Sequence, residues 1–261
     1  MNRLLVSLLG LPLLAGCDAN TSGRPIQINM ALGSTAKNDP SHFVTSTGWD
    51  VQLEEACIAV GPIYFYANTA FASAETGRWN RIKSVVGIEK QAFAHAGHNH
   101  FNGGEVRAEW LGQNALNVLN PTLDPLGLQN GLWGEVKSFS VYLEPPRKLL
   151  AANPCLRGHN AFARGIARKA ERVVPFEGGL DIENVGVNRR VEGLKYSATF
   201  DDGVGVAISA QPNAWFDQAD FDTLDTMTTE GRFVITPNSQ VRVAWFIGAR
   251  GIGSFRAAAL Q

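Results

Sequence analysis

Apolar and polar residues alternate along most of the chain, and a period of two predicts β-strands rather than helices. Ile26, Ile28 and Met30 alternate with Gln27 and Asn29 as a first strand. From Trp49 onward Val51, Leu53, Cys57 and Ala59 stand opposite Glu54, Ile58 and Val60, until Gly61-Pro62 interrupts the run and Ile63-Tyr64-Phe65-Tyr66 resumes it. Pro62 has no N–H to give a ladder, so an edge or a bulge is expected there. Leu132 to Leu143 predicts a long strand that stops at Pro145-Pro146, with Phe139, Val141 and Leu143 on one side and Ser138, Ser140 and Tyr142 on the other. Ala161 to Ala167 and Val173 to Ile182 flank Arg168 to Arg172 as a hairpin. Tyr196 to Phe200 and Val204 to Ala210 flank Asp201-Asp202-Gly203, a strong hairpin signal. Gln240 to Gly248 and Ser254 to Leu260 read as two closing strands, and Trp215 to Met227 as a helical turn anchored by Trp215, Phe216 and Phe221. Short strands with few helical windows predict a mainly β fold, an antiparallel β-sandwich or jelly roll with one or two short helical turns. Ala67 to Phe93 fits neither period.

The one long apolar run is at the start. Arg3 precedes Leu4, Leu5, Val6, Leu8, Leu9, Leu11, Leu13 and Leu14, an apolar stretch too short to span a bilayer comfortably. Leu14-Ala15-Gly16-Cys17 follows, and it resembles the lipobox of bacterial lipoproteins. That resemblance implies cleavage before Cys17 and acylation of its thiol. The implied division is a signal peptide over 1–16, a lipidated tether over 17–25 and a single β-sandwich domain over 26–261. It also implies a lipid-anchored, periplasm-facing protein of the bacterial cell envelope, with the bilayer as partner through acylated Cys17. Asp18 resembles the residue that retains lipoproteins in the inner membrane of enteric bacteria, a rule that varies between lineages, so inner and outer membrane both stay open.

Two cysteines remain, Cys57 and Cys155, and in an exported chain such a pair bridges more often than not. The disulfide is the expectation; free buried thiols or thiolate metal ligands are the alternatives. The formal net charge of −1 and pI near 6.5 supply no field to attract nucleic acid.

Three of the five histidines, His95, His98 and His100, lie within six positions of Ala94-His95-Ala96-Gly97-His98-Asn99-His100. His98 and His100 fall on one side of an extended chain, about 7 Å apart, and can converge on one ion. Three neutral imidazoles suit copper or zinc. Glu105 or Glu109 could add a carboxylate or orient an imidazole. Of the isolated histidines, His42 reads as a surface or packing residue, and His159, four residues after Cys155, is the better fourth-ligand candidate. The opposing interpretation is a solvated glycine-rich loop that binds metal only adventitiously. Asp217, Asp220, Asp222 and Asp225 lack the glycine and closing glutamate of a calcium loop. Trp133 and Trp245 are expected in strands as core, which weakens the case for a tryptophan carbohydrate platform. A lipid-anchored β-sandwich with a histidine cluster is similar in type to the periplasmic copper-binding proteins of methanobactin operons, and that likeness implies the compartment and the metal class. The leading expectation is therefore a noncatalytic copper- or zinc-binding lipoprotein. An adhesion or assembly module for protein or glycan is the alternative, and a metalloenzyme comes third because no general acid or base can be assigned.

If Cys17 carries the only anchor, Cys17→Ser should move the protein from the membrane pellet to the supernatant. Retention of the variant in carbonate-washed membranes would show that something else holds it there.

Overall fold

A computed structural model describes residues 23–33, 40–69, 104–182 and 189–260. In chain order its strands are β1 (Pro25–Leu32), β2 (His42–Val44), β3 (Asp50–Val60), β4 (Ile63–Tyr66), β5 (Val106–Trp110), β6 (Asn114–Asn117) and β7 (Asp124–Leu132). They continue as β8 (Gly134–Tyr142), β9 (Ala161–Lys169), β10 (Arg172–Leu180), β11 (Arg190–Phe200), β12 (Gly205–Ala210), β13 (Phe233–Val234) and β14 (Phe255–Ala259). Helices α1 (Lys148–Ala151), α2 (Pro212–Phe216) and α3 (Gln240–Ala249), with a 3₁₀ turn at Phe221–Thr223, complete the elements. The strands form two sheets. The larger runs β11-β8-β4-β5-β7-β1-β12-β14, and the smaller β13-β10-β9-β3-β2, with β6 also paired to β3. The end strands β11 and β14 approach each other, so the large sheet is strongly rolled.

The expected mainly β sandwich is what forms, because alternate residues of both sheets share one core. Val51, Leu53, Ala56, Ile58 and Val60 of β3 meet Ile63 and Phe65 of β4 and Phe139 and Val141 of β8 there. Phe65 lies 5.3 Å from Phe200 and 5.7 Å from Phe139, centroid to centroid, within the range where aromatic rings attract. One end of the sandwich is closed by aromatics: Trp215 stacks on Trp245 at 6.1 Å, and Phe221 touches Phe176 at 4.8 Å and Trp49 at 5.5 Å.

Several expectations need correction. Pairing is mostly antiparallel, but β1–β12 and β10–β13 are parallel. Gly61-Pro62 does not merely interrupt a strand: β3 lies in the small sheet and β4 in the large one, so the chain changes sheets there. A register shift between Leu53 and Glu55 turns β3 over, so Val51 and Leu53 share the core face with Ala56, Ile58 and Val60. Cys57 and Ala59 instead face Leu156 and Cys155 in a second small cluster. Asp201-Asp202-Gly203 is no hairpin, since β11 pairs with β8 and β12 with β1 and β14. Its polar groups are taken up by β1: Gln27 N–H donates to Asp202 Oδ1 at 3.1 Å, Gly203 N–H donates to Gln27 O at 2.9 Å, and Asp201 pairs with Arg24. Gln240 to Ala249 is a helix, capped by Ser239, whose hydroxyl accepts from Arg242 N–H at 3.2 Å. Its buried residues are Val241, Ala244, Trp245 and Ala249, a helical spacing hidden by the coincidental alternation of Val243 and Ile247 with them. Trp245 is thus core on a helix, whereas Trp133 stands 37% exposed where β7 bends into β8. The hairpin at Arg168–Arg172 and the strand at Ser254–Leu260 form as expected.

The disulfide forms between Cys57 on β3 and Cys155 in the loop before β9, with Cα atoms 5.9 Å apart and a sequence separation of 98. A closure of that length removes about 4–5 kcal/mol of unfolded-state entropy in the chain-entropy model.

Helices α2 and α3 meet where a side chain would not fit. A Cβ on Gly248 would lie 2.2 Å from Ala214 O and 2.7 Å from Trp215 O. Gly248→Ala should therefore cost about 1–3 kcal/mol in urea denaturation despite alanine's better helix propensity. Val243→Ala, on the exposed side of the same helix, should change stability by no more than about 0.5 kcal/mol. Equal effects would show that the α2–α3 contact is looser than described.

Candidate functional site

The β4–β5 junction is the root of the segment that carries the histidine cluster. Tyr66 pairs with Val106, and Ala67 N–H donates to Glu105 O at 3.0 Å, so residues 67 and 105 lie side by side at one end of the large sheet. Ser138 Oγ donates to Asn68 O at 2.6 Å and ties the departing chain to β8. Glu105 sits 3.3 Å from Arg107, whose side chain is only 12% exposed and also donates to Trp133 O. His95, His98, His100 and Cys17 lie outside the described residues.

His159 is placed elsewhere. Its Nδ1 is 2.9 Å from Asp181, and its ring fills the space over Gly179. The next residue, Asn160, donates to Leu143 O, at the far end of the β4–β8 ladder from Ser138 and Tyr66. Five strand positions separate Leu143 from Ser138, about 17 Å. His42 likewise pairs with Asp50 at 2.6 Å. The acidic run is spent on structure: Asp217 accepts from Ser46 N–H, Asp220 caps the 3₁₀ turn and Asp222 pairs with Arg172. Among the described residues no three His, Cys, Asp or Glu side chains come together as a metal group.

The structure brings together a set of residues that periodicity alone did not single out. Tyr64 and Tyr66 on β4 and Tyr142 on β8 project from the large sheet away from the core that takes Ile63, Phe65 and Val141. Tyr64 lies 6.3 Å from Tyr66 with the rings inclined at 27°, and 5.4 Å from Tyr142 in an edge-on contact. Arg190 lies over Tyr142 at 5.2 Å, a cation–π distance, and 3.7 Å from Glu192. Glu109 is directly across the ladder from Tyr64.

Burial raises the pKa of each of these phenols, because the phenolate is the form that loses hydration. Tyr66 is pushed up to about 12, with a hydrogen bond to Ser140 pulling the other way. Tyr64 is raised by burial first, then by Tyr142, Glu109 and Glu144. Tyr142 is raised by burial, opposed by Arg190, and Tyr196 by burial alone.

Elsewhere charge is engaged in the scaffold. Glu54 accepts from Arg232 at 2.9 Å and Arg164 at 3.2 Å, and Glu55 pairs with Arg157 at 2.8 Å. A shallow groove of about 510 Å³ between β1, β7 and the β12 end, lined by Met30, Ala31, Leu123, Pro125 and Leu260, has no titratable side chain on its walls. Comparison of the chain with protein-family models, curated proteins and solved structures gives no match in any of the three.

The chain has four tyrosines, and all four are shifted upward. Unfolded phenols ionise near pH 10 and folded ones higher, so this contribution to stability is complete below about pH 10 and falls as pH rises toward 12. Native protein at about pH 10.5 should show less tyrosinate absorbance than the same protein in denaturant. Coincident titration curves would mean that the phenols are freely hydrated.

Proposed function

We propose that the chain is a noncatalytic, lipid-anchored protein of the bacterial cell envelope that faces the periplasm and holds copper or zinc through His95, His98 and His100. The observation that carries this reading is the closure at the β4–β5 junction. The segment bearing the histidines leaves and rejoins the large sheet at adjacent positions, Ala67 and Glu105, joined by a hydrogen bond of 3.0 Å. His100 is five positions before Glu105 and so lies within about 18 Å of that junction whatever path the chain takes. Three imidazoles on one tethered segment need less ordering to meet around an ion than three on separate loops. Glu105, already paired with Arg107, is suited to orienting an imidazole rather than to binding the ion itself. The Cys57–Cys155 bridge agrees with an oxidising compartment. It also engages the sulfurs of Cys57 and Cys155, so neither serves as a thiolate ligand. His159, bonded to Asp181 at the opposite end of the ladder, is left out of the proposed set.

Calorimetric titration of untagged full-length protein in detergent with zinc and with copper(II) tests this. Wild type should bind one ion with a Kd below about 1 μM, and His98→Ala should weaken binding at least about a hundredfold, because water in place of a lost nitrogen leaves an incomplete shell. Affinity should fall as pH drops through about 6.5, where protons compete for the imidazoles. The melting temperature should rise with bound metal. Micromolar or weaker binding that His98→Ala changes only a few-fold would reduce the cluster to an adventitious loop.

A further inference from the structure

We propose that the outer face of β1 and β7 rests on the surface of the bilayer that holds the anchor, an inference that depends on the acylation of Cys17 in the reading above. Arg24, immediately before β1, comes seven positions after Cys17, so the start of β1 lies within about 25 Å of an acylated thiol whatever path the chain takes. That start is held in place: Trp133 N–H donates to Arg24 O at 2.9 Å, and the Arg24 guanidinium pairs with Asp201. A tether that short brings the surfaces around the start of β1 to the membrane first. The exposed Val243 and Ile247 of α3 are placed away from it. Strand β12 runs parallel to β1, so α2, which follows β12, and α3, packed on α2, lie past the end of β1 opposite Arg24.

The face beside the tether is suited to the contact. Ile26, Ile28 and Met30 fill the core, so Pro25, Gln27 and Asn29 face outward, and the register sets Leu132, Asn130 and Leu128 of β7 beside them. Leu128 is 61% exposed, and the groove of about 510 Å³ that continues this face is walled by Leu123, Pro125 and Leu260 with no titratable side chain. Gln27 Nε2 donates to Asn130 Oδ1 at 2.6 Å, which lowers the cost of taking these amides out of water. Trp133, partly exposed beside the tether, is the kind of side chain that settles at the headgroup level. Charge is kept to the border: Arg24, Asp201 and Asp202 at the tether end, Asp124 at the other, Arg107 and Glu109 on β5 and Arg256 on β14. Anions outnumber cations there, so the attraction is apolar rather than electrostatic and relies on the local concentration that the anchor supplies.

Fluorescence of the protein, purified in detergent and reconstituted in phosphatidylcholine vesicles, tests the proposal. With Cys17 acylated and Cys57 and Cys155 bridged, the unaltered chain should take up no thiol dye. Uptake, or an intact mass without acyl chains, overturns the anchor reading and this proposal with it. Leu128→Cys and, on the outer face of the small sheet, Val173→Cys would each carry an environment-sensitive dye. Nitroxide-bearing phospholipid should quench the dye at Leu128→Cys at least about threefold more than that at Val173→Cys, because an interfacial face sits at the headgroup and acyl boundary. Equal, weak quenching at both sites in an acylated protein overturns this proposal alone. So does a blue-shifted but unquenched dye at Leu128→Cys, which would show that a second copy or another protein covers the face. Brominated phospholipid checks the contact without a dye: it should quench the unaltered protein more than Trp133→Phe, and equal quenching also overturns the proposal.

Discussion

Where the chain first passes from the small sheet to the large one, the backbone makes a close approach at Gly61. Its N–H donates to Tyr142 O at 2.9 Å while Tyr142 N–H donates to Pro62 O at 2.9 Å, so the chain is bonded to β8 as it leaves one sheet for the other. A Cβ at Gly61 would fall 2.3 Å from Gly112 O and 2.7 Å from the Trp110 ring, and its φ of +113° is one that side chains rarely adopt. The crossing, together with pairing to β5 and β8, sets the register of β4. Because Ile63 enters the large sheet with its side chain in the core, Phe65 follows it inward, and Tyr64 and Tyr66 must face the other way.

The same geometry relates the tyrosine face to the histidine-bearing segment. Strand β4 has only four residues. Its first end is fixed by the crossing and its second opens into the histidine-bearing segment, with the tyrosine face between them.

Much of this was legible in the sequence. The alternation Ile63-Tyr64-Phe65-Tyr66 already puts the tyrosines on one side, and Ser138, Ser140 and Tyr142 were correctly read as one side of β8. That the two sides form a single surface was not legible, because pairing between β4 and β8 is a long-range choice that neither local pattern encodes. The helix at Gln240–Ala249 was missed for the opposite reason: Val241, Val243, Trp245 and Ile247 satisfy a period of two by chance, and only packing of Val241, Ala244, Trp245 and Ala249 selects the helix. At Asp201-Asp202-Gly203 the local turn chemistry is real, yet β1 competes for the same polar groups and the following strand pairs with it instead. Strict alternation puts Cys57 on the face of Val51 and Leu53, because a period of two does not encode the bulge at Leu53–Glu55. The disulfide is legible from two cysteines and from the resemblance of the chain's start to an export signal.

That disulfide makes a covalent ring of the chain from Cys57 to Cys155, and the ring contains β4 through β8 together with the histidine-bearing segment. A single backbone cut anywhere within it leaves both pieces in one molecule, held at Cys57–Cys155. In an environment that holds proteases, the central strands of the large sheet can thus be nicked once without either piece being shed. Loss of material requires a second cut or a reductant.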